Sequence, residues 1–321
     1  MPIGLNNVNT KQLTYFVKSA ELGSIAAAAR ELDISQPSIS QQISVLEHEL
    51  KTTLFSRDVR GVCLTENGER FLAHARSVLR QLNQAQSELH QASTIPTGQV
   101  ALGMTQPICN ILAVPLVSMM EREFPGIELS IYTGYSSDLS RMMQSGTLDI
   151  AVSSHDDSDN THIRHERFFR ENIYLIIGHN RTFDFPEEYL QQGSIPFQAL
   201  QHHDVMVTSR TDSLGFLIEQ YEQETGHYLR KRQPYGQLMT TLRYVTEGHG
   251  MLITPSSSFF HLERSQEVQA LEIIEPALYR DVYLMTPSDR PLTNAMAQVI
   301  EQIRNLTTQE NANGHWRGLL V

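Results

Sequence analysis

The stretch SIAAAARELDISQPSISQQISVLEHEL, residues Ser24–Leu50, decides the fold of the N-terminal third of the chain. Ser24 is a favourable N-cap, and the alanine-rich run after it predicts a short helix whose small side chains allow close packing. A turn follows at residues 33–34. Ser35 then caps a second helix with Pro37 in its first turn, where the missing N–H removes no helical hydrogen bond. Two helices joined by a tight turn predict a helix-turn-helix.

The second helix has two chemically different faces. Its apolar residues recur every three or four positions from Ile39 to Leu50, which predicts one buried face. The opposite face carries hydroxyl and amide side chains that can hydrogen-bond base edges and phosphates in a major groove. A merely solvated helix face is the alternative. The predicted DNA-contacting residues of this helix are Ser35, Gln36, Pro37, Ser38, Ser40 and Gln41.

A hairpin is predicted directly after this helix pair. Two short strand-like runs, residues 54–55 and 62–64, flank a turn that contains Arg57 and Arg60. This arrangement is typical of a wing, whose two guanidinium groups would face a phosphate backbone.

Charge is distributed unevenly along the chain. The net charge is −11, yet residues 1–95 contain nine Lys/Arg and nine Asp/Glu, so the deficit belongs to residues 96–321. A DNA-binding region without net charge is attracted only weakly to DNA of any sequence, because counterion release needs many basic contacts. When two DNA-binding regions are joined on one DNA site, their modest individual affinities combine into a higher affinity. We therefore expect an oligomer.

A long helix, capped by Thr65 and running to about Ser93, provides a means of pairing. Apolar residues step along it by four and three, which is the heptad period of a coiled coil. A single amphipathic helix packed on its own domain is the alternative. The predicted dimerisation residues are Phe71, Ala75, Val78, Leu82, Ala85 and Leu89, with Ala92 continuing the seam.

Residues 93–98 interrupt this helix, and strands alternating with helices follow. Alternation of this kind predicts parallel sheets with helices on both faces, an α/β fold. The predicted strands are 99–104, 127–133, 148–153, 173–178, 204–208, 251–254, 268–274 and 282–286. The predicted helices are 111–124, 137–145, 214–225, 237–247 and 292–307.

The run Leu13–Gly68 resembles the winged helix-turn-helix of LysR-type transcriptional regulators. One departure is Lys51, which stands where the family usually has a glycine. Residues 103–151 and 245–255 resemble the effector domain of that family. The matching pieces are LTYF at 13–16, the small residues 26–29, SQPSIS at 35–40, LFSR at 54–57, LTENG at 64–68, FPGIEL at 124–129 and GTLDIA at 146–151.

The resemblance implies a fold and a division into domains. It implies an N-terminal winged helix-turn-helix plus a long linker helix, joined to a two-lobed effector domain with the fold of periplasmic solute-binding proteins. The implied bounds are 1–65 for DNA binding, 66–94 for the linker and 95–310 for the effector domain, with lobe I at about 99–170 and 275–310, lobe II at about 171–274, and a tail at 311–321.

The resemblance also implies a function. We expect a cytoplasmic, sequence-specific regulator of transcription that binds an interrupted inverted repeat in double-stranded DNA as a homodimer or homotetramer, with RNA polymerase as a further candidate partner. A small-molecule effector between the lobes would switch it. The runs 74–76 and 79–81 resemble regulators of nitrogen assimilation, over too short a length to name a pathway.

The effector would bind beyond the carboxyl ends of the strands, as ligands do in open α/β sheets. Hydroxyl groups and helix N-termini there suit a small polar or anionic molecule, and Arg210 could hold a carboxylate. Helix capping alone is the alternative for each hydroxyl. The predicted effector-binding residues are Thr105, Gln106, Thr133, Tyr135, Ser153, Thr208, Ser209 and Arg210.

Other classes of function find little support in the sequence. The N-terminus has no signal-peptide pattern, and no apolar run has the length of a membrane span. Cys63 and Cys109 lie in different predicted domains without metal-ligand spacing, although a redox sensor is an alternative. The His- and Asp-rich segment 154–165 is expected to be a solvated loop. We predict no metal, cofactor or catalytic residues. Two alternative functions are a solute-binding protein without a role on DNA and an enzyme built on the α/β region.

Overall fold

A computed structural model of the chain describes residues 8–58, 61–89, 96–154, 161–208, 213–288 and 291–321. The side chains of residues 57–58 and 83–89 fall outside this description. The chain divides into two compact units, residues 1–99 with 144–147 (unit 1) and residues 100–143 with 148–321 (unit 2).

Unit 1 is a helix-turn-helix followed by a hairpin and a long helix, as the sequence predicted. Ser24 caps its helix, because its hydroxyl oxygen accepts from the Ala27 amide at 3.2 Å, and the Thr65 hydroxyl accepts from the Gly68 amide at 3.0 Å. Ser35 is the N-cap residue of the second helix of the pair, Gln36–Leu50, but makes no side-chain capping bond, which corrects its predicted capping role. The elements are α1 (Thr10–Glu21), α2 (Ile25–Glu31), α3 (Gln36–Leu50), β1 (Phe55–Asp58), β2 (Gly61–Leu64) and α4 (Glu66–Leu89).

The core of unit 1 is built on Phe16 of α1, whose side chain is fully buried. Its ring lies 5.1 Å from that of Phe55 and 5.4 Å from that of Phe71, so one residue joins α1 to the hairpin and to α4. The predicted apolar face of α3 is buried against this core at Ile39, Ile43 and Leu46.

Lys51 takes the left-handed conformation that the family usually gives to a glycine. Its φ is 52°, and the amide of Thr52 donates to the carbonyl of Glu47 at 3.1 Å, closing α3. A residue with a Cβ pays about 1 kcal/mol for this conformation, so the cap is retained with some strain, as expected.

Unit 2 consists of two lobes that share one long strand, β6. Residues 163–172 of β6 pair with β12 in lobe I, whereas residues 173–178 of the same strand pair with β10 and β11 in lobe II. The first elements are β3 (Gly98–Met104), α5 (Gln106–Glu123), β4 (Ile127–Thr133), α6 (Ser136–Gln144), β5 (Ile150–Ser153) and β6 (Ile163–Gly178). Lobe II continues with α7 (Glu187–Gln192), β7 (Ser194–Pro196), a 3-10 helix (Phe197–His202), β8 (Asp204–Met206), α8 (Ser213–Thr225), β9 (Arg230–Arg232), α9 (Leu238–Thr246), β10 (Met251–Pro255), a 3-10 turn (Ser256–Ser258), α10 (Phe260–Arg264) and β11 (Val268–Ile274). The chain ends with β12 (Tyr279–Pro287), α11 (Asn294–Ala312) and β13 (Gly318–Leu320).

The sheets are mixed, which corrects the predicted all-parallel pairing. β3 pairs with β5, and β8 with β10, in parallel, but β12 pairs antiparallel with both β5 and β6. The reason is that the chain enters lobe II through β6 and returns through β12 in the opposite direction. Short strands such as β7 and β9 were not predicted, because three residues carry no readable alternation.

Each lobe has apolar cores on both sides of its sheet, as predicted for an α/β fold. In lobe I, α5 and α11 cover one face and α6 covers the other. In lobe II, α7 and α8 cover one face, and α9 and α10 the other.

The segment predicted as a separate tail, residues 311–321, belongs to lobe I. Trp316 is fully buried in the lobe I core, with its ring 4.7 Å from that of Phe169. β13 then adds to the edge of β6, pairing Gly318 with Glu171. A Cβ on Gly318 would lie 2.0 Å from the Arg170 carbonyl oxygen, so only glycine allows this approach.

Replacing Trp316 by alanine should lower the free energy of unfolding of unit 2 by about 3–5 kcal/mol, because the change removes a buried aromatic ring and leaves a cavity. Leu319→Ala is the matched control, since Leu319 lies in the same segment but is 67% exposed. Urea denaturation followed by circular dichroism measures both. Equal stability of the two variants would show that the ring does not stabilise lobe I.

Candidate functional site

The predicted DNA-contacting face of α3 is the accessible face of that helix. The hydroxyl and amide groups of this face lie on the side of the helix opposite its buried apolar residues. The exposed residues are Ser35, Gln36, Pro37 and Gln41, and the half-buried ones are Ser38 and Ser40. Polar groups on an exposed helix face are suited to base edges and phosphates.

A cleft beside this face contains residues that the sequence did not single out. It is lined by the start of α1 and the outer side of α3. Lys11 offers an ammonium group there and Tyr15 a phenol, next to Ser38 and Gln42. A cation and three hydrogen-bonding groups next to a recognition helix suit a phosphate of the DNA backbone. The accessible polar surface is therefore broader than α3 alone.

Glu47 fixes the hairpin to the recognition helix. One carboxylate oxygen, Oε1, accepts from the amides of Leu54 and Phe55 at 2.7 and 3.0 Å. The amide of Val62 donates to the Gly23 carbonyl at 3.0 Å, which fixes the second strand to the turn after α1. The hairpin therefore has a defined position relative to α3. The side chain of Arg57 and all of Arg60 lie outside the described residues.

The predicted dimerisation seam on α4 divides into two parts. Ala75 is 1% exposed in the core of unit 1, and the partly buried Phe71 packs against Phe16, so both residues contribute to the core of their own chain. Their predicted role in dimerisation stays a prediction. Val78 and Leu82 are 43% and 42% exposed. The side chains of Ala85 and Leu89 are outside the described part.

Predicted effector residues of lobe I lie together at the carboxyl-end edge of its sheet, where the strand order is β4-β3-β5. The amide of Thr105 donates to the carbonyl of Val152 at 3.3 Å, which puts Thr105 beside Ser153. The amide of Gly134, directly after β4, donates to the last residue of β3 at 3.4 Å. Thr133 is therefore at the same edge.

These residues differ in accessibility. Thr105 and Ser153 are buried, whereas Gln106, Thr133 and Tyr135 are exposed, Tyr135 by 62%. Ser209 and Arg210 are outside the described residues, so the predicted carboxylate contact of Arg210 stays a prediction.

Lobe II meets this edge through the 3-10 turn at residues 256–258. Nδ2 of Asn110, on α5, donates to the carbonyls of Ser257 and Ser258 at 3.1 and 3.3 Å. The same amide lies 3.2 Å from Nδ1 of His261. Burial lowers the pKa of His261, which favours the neutral ring that can accept this contact.

A fully buried carboxylate joins the two lobes at their crossing point. Oε1 of Glu171 accepts from the Ser257 amide at 2.8 Å and from the Ser256 hydroxyl at 3.1 Å. Oε2 accepts from Nε of Arg280, also buried, at 2.9 Å. Strands β6 and β12 thereby hold the 3-10 turn of lobe II.

The same network extends to the end of β5. Nη1 of Arg280 donates to the hydroxyl of Ser154 at 3.2 Å, and that hydroxyl lies 2.9 Å from the one of Ser213, at the start of α8. Sequence reasoning missed Glu171 and Arg280, since nothing distinguishes them from other charged residues in strands. It could have found Ser256 by applying the strand-end rule to β10.

Three hydroxyl oxygens, one from lobe I and two from lobe II, are buried without a hydrogen-bond partner in the described structure. They are Oγ1 of Thr105, Oγ1 of Thr208 and Oγ of Ser257. Thr208 follows β8, and the register of β8 with β10 brings it beside the end of β10. Buried polar atoms are nearly always paired, so these three unpaired hydroxyl groups are candidates for contact with a polar ligand. Thr105 occupies the N-cap position of α5 without making a side-chain capping bond, which argues against the capping alternative.

The cysteines, the metal-ligating residue types and the helices bear on the alternative chemistries. Burial raises the pKa of the Cys109 thiol, which disfavours the reactive thiolate, and Cys63 is an exposed free thiol. Among the described residues, no cluster of three or more His, Cys, Asp or Glu could hold a metal ion. Residues 155–160 of the His- and Asp-rich segment lie outside them. No helix in the described part of the chain combines the length and apolar character of a membrane span.

Comparisons with known proteins cover both units. The family model for the bacterial regulatory helix-turn-helix protein, lysR family, matches residues 10–69, and the model for the LysR substrate binding domain matches residues 94–307. The nitrogen assimilation regulatory protein nac of Escherichia coli (strain K12) is 25% identical over 297 residues, covering 92% of this chain and 94% of that protein. The HTH-type transcriptional regulator SoxR of Arthrobacter sp. (strain TE1826) is 26% identical over 295 residues, covering 92% and 96%.

Solved structures with the same fold include full-length regulators. Full-length CbnR complexed with its target DNA has a TM-score of 0.66 at 20% identity, covering 93% of this chain and all of that chain. A full-length OxyR variant from Pseudomonas aeruginosa has a TM-score of 0.67 at 22% identity, covering 93% and 97%.

Glu47→Ala should free the start of the hairpin, because the Leu54 and Phe55 amides lose their shared acceptor. We expect these two amides to exchange with solvent about tenfold faster or more, as measured by hydrogen exchange with mass spectrometry. Glu47→Gln is the control, since its amide oxygen can still accept one or both bonds. Unchanged exchange in Glu47→Ala would contradict the positioning role of Glu47.

Proposed function

The chain belongs to the LysR family of bacterial transcriptional regulators, with a helix-turn-helix DNA-binding domain and an effector-binding domain, and on this premise we propose how its own residues carry out that function. Two copies bind an interrupted inverted repeat through α3 and the hairpin. A small molecule bound between lobes I and II changes the arrangement of the two copies on DNA.

The recognition surface is proposed to consist of the polar face of α3 with its flanks. The polar face formed by Ser35, Gln36, Pro37, Ser38, Ser40 and Gln41 contacts base edges, while Lys11 of the adjoining cleft and the hairpin residues Arg57 and Arg60 contact phosphates. The observation that carries this proposal is the division of the first half of α3 into a buried apolar side, at Ile39 and Ile43, and an accessible side of hydroxyl and amide groups.

Pairing of two copies is proposed to use the exposed part of the α4 seam. Val78 and Leu82 are four residues apart, so their side chains lie on one face of the helix. Two large aliphatic groups exposed side by side suit a second copy of the same helix, related by a two-fold axis. The tetramer and the contact with RNA polymerase stay predictions.

The effector is proposed to bind at the unpaired hydroxyl groups of Thr105, Thr208 and Ser257. These groups come from both lobes. A ligand that bonds to all three therefore binds one arrangement of the two lobes more tightly than another. Only that difference in affinity can shift the balance between arrangements on DNA. Hydroxyl donors, together with amides at the edge of the lobe I sheet, suit a small ligand rich in oxygen acceptors, such as a carboxylate.

The exposed seam generates a prediction about oligomeric state. Leu82→Glu in both copies should weaken self-association about 100-fold, because two carboxylates would be buried where two leucine side chains met. Gln81→Glu, which adds the same charge one position off the seam, should leave it nearly unchanged. Sedimentation velocity over a range of concentrations measures both. Identical dissociation constants for the two variants would rule out this seam.

The unpaired hydroxyl of Thr105 generates a second prediction that needs no knowledge of the ligand. Thr105→Val keeps the shape and removes the unpaired group, so the free energy of unfolding of the ligand-free protein should stay equal or rise by up to about 1 kcal/mol. Ser256→Ala is the control. It removes a hydroxyl that is bonded to Glu171, and it should lower that free energy by about 1–3 kcal/mol.

The same variant tests the ligand site once a ligand is found by thermal-shift screening of small organic acids. Thr105→Val should bind that acid about tenfold more weakly while binding DNA like the parent. Loss of DNA binding with unchanged ligand affinity would contradict the assignment of Thr105 to the effector site.

A further inference from the structure

The C-terminal segment crosses from one lobe to the other. Its residues 316 and 318–320 are part of lobe I, through the buried ring of Trp316 and the pairing of β13 with residues 169–171 of β6. The match to the LysR substrate binding domain ends at residue 307, so this segment adds to the part of the chain that the family model describes.

Arg317, between these two attachments, points to lobe II. Its guanidinium carbon lies 5.2 Å from the ring centroid of Tyr174 and 5.9 Å from that of Phe259, and Nη2 forms an ion pair with Glu263 of α10. Cation–π contacts with two rings and an ion pair give one side chain three attachments to the opposite lobe.

The backbone of Arg317 joins the polar network at the lobe crossing. Its amide donates to the Ser256 hydroxyl at 3.0 Å, and its carbonyl accepts from the Asn172 amide at 2.9 Å. The Ser256 hydroxyl in turn donates to the buried carboxylate of Glu171. Movement of lobe II relative to lobe I therefore has to break or stretch bonds to this segment.

We propose that residues 313–321 form an interlobe strap, and that Arg317 is the positioning residue through which the strap limits how far the two lobes open. The inference rests on the proposed function only in so far as the strap is said to regulate the cleft between the lobes where the effector is proposed to bind. Because an effector acts by favouring one interlobe arrangement, the strap sets the balance against which the effector has to work.

The relevant measurement is the distance distribution between the lobes of the full-length chain without DNA or ligand. Spin labels at Glu121→Cys on α5 and Gln223→Cys on α8, in a chain without Cys63 and Cys109, report one position in each lobe. Dilution with unlabelled chain removes distances between copies. Arg317→Met should increase the ratio of the more open to the closed population about three- to tenfold, as expected for losing a partly exposed ion pair with cation–π contacts.

Arg304→Met is the matched control. Arg304 also pairs with a glutamate, Glu166, but both residues lie in lobe I, so the distribution should match that of the parent. Glu263→Gln breaks the Arg317 ion pair from the lobe II side without touching the strap, and it should produce a change in the same direction. The double variant should add little beyond Arg317→Met, because both changes act on one link.

A distribution in Arg317→Met and in Glu263→Gln that equals that of the Arg304→Met control would overturn the proposal. Should Arg317→Met fail to fold, Glu263→Gln still decides. Neither DNA nor ligand enters the measurement, so this negative result would leave the proposed DNA-binding and effector-binding functions standing.

Discussion

The buried carboxylate of Glu171 is the constraint around which unit 2 is arranged. A charged group with no exposure is tolerated only when its oxygens are fully paired, and removing one partner of such a pair costs about 3–5 kcal/mol. Its partners come from distant parts of the chain: the 3-10 turn after β10 and Arg280 on β12. Each lobe has its own sheet and its own core, and the bonds to Glu171 fix the position of one lobe relative to the other at this point. Ser257, which carries one of the unpaired hydroxyl groups of the candidate effector site, donates its backbone amide to this same carboxylate.

The two units solve different physical problems. Unit 1 presents a reading surface with little net charge in its part of the sequence, so its affinity for DNA depends on geometry and on pairing two copies more than on counterion release. Unit 2 offers two lobes joined by strands, an architecture in which small changes between lobes can be favoured by a ligand that contacts both. Coupling between ligand and DNA is then a matter of differential affinity, and it acts equally in both directions.

Most of the fold could be predicted because local patterns determined it. The period of Ile39, Ile43 and Leu46, the cap at Ser24 and the strand-helix alternation each have a short-range physical cause, and the family resemblance added the division into lobes. The heptad on α4 shows where a period is ambiguous. The spacing that suits a partner helix equally suits packing on the same domain, and Phe71 and Ala75 are used for the second purpose.

The site was predicted less completely than the fold. Strand ends led to Thr105, Ser153 and Thr208, because the rule needs only the position of strands. Glu171 and Arg280 escaped, since their pairing depends on two strands more than 100 residues apart in sequence meeting antiparallel. The attachment of the C-terminal segment was equally out of reach, because a buried tryptophan in a short tail shows that something packs there but not where.

The most direct measurement is a genome-wide map of the DNA fragments that the purified full-length chain binds, made with DNA of its own organism at about 150 mM salt, where non-specific binding is suppressed. The proposed function predicts a limited set of sharp sites upstream of genes, each an interrupted inverted repeat whose half-sites face one side of the duplex. Binding without discrete sites, or at single half-sites only, would contradict a paired reader and would leave residues 1–95 without the proposed role.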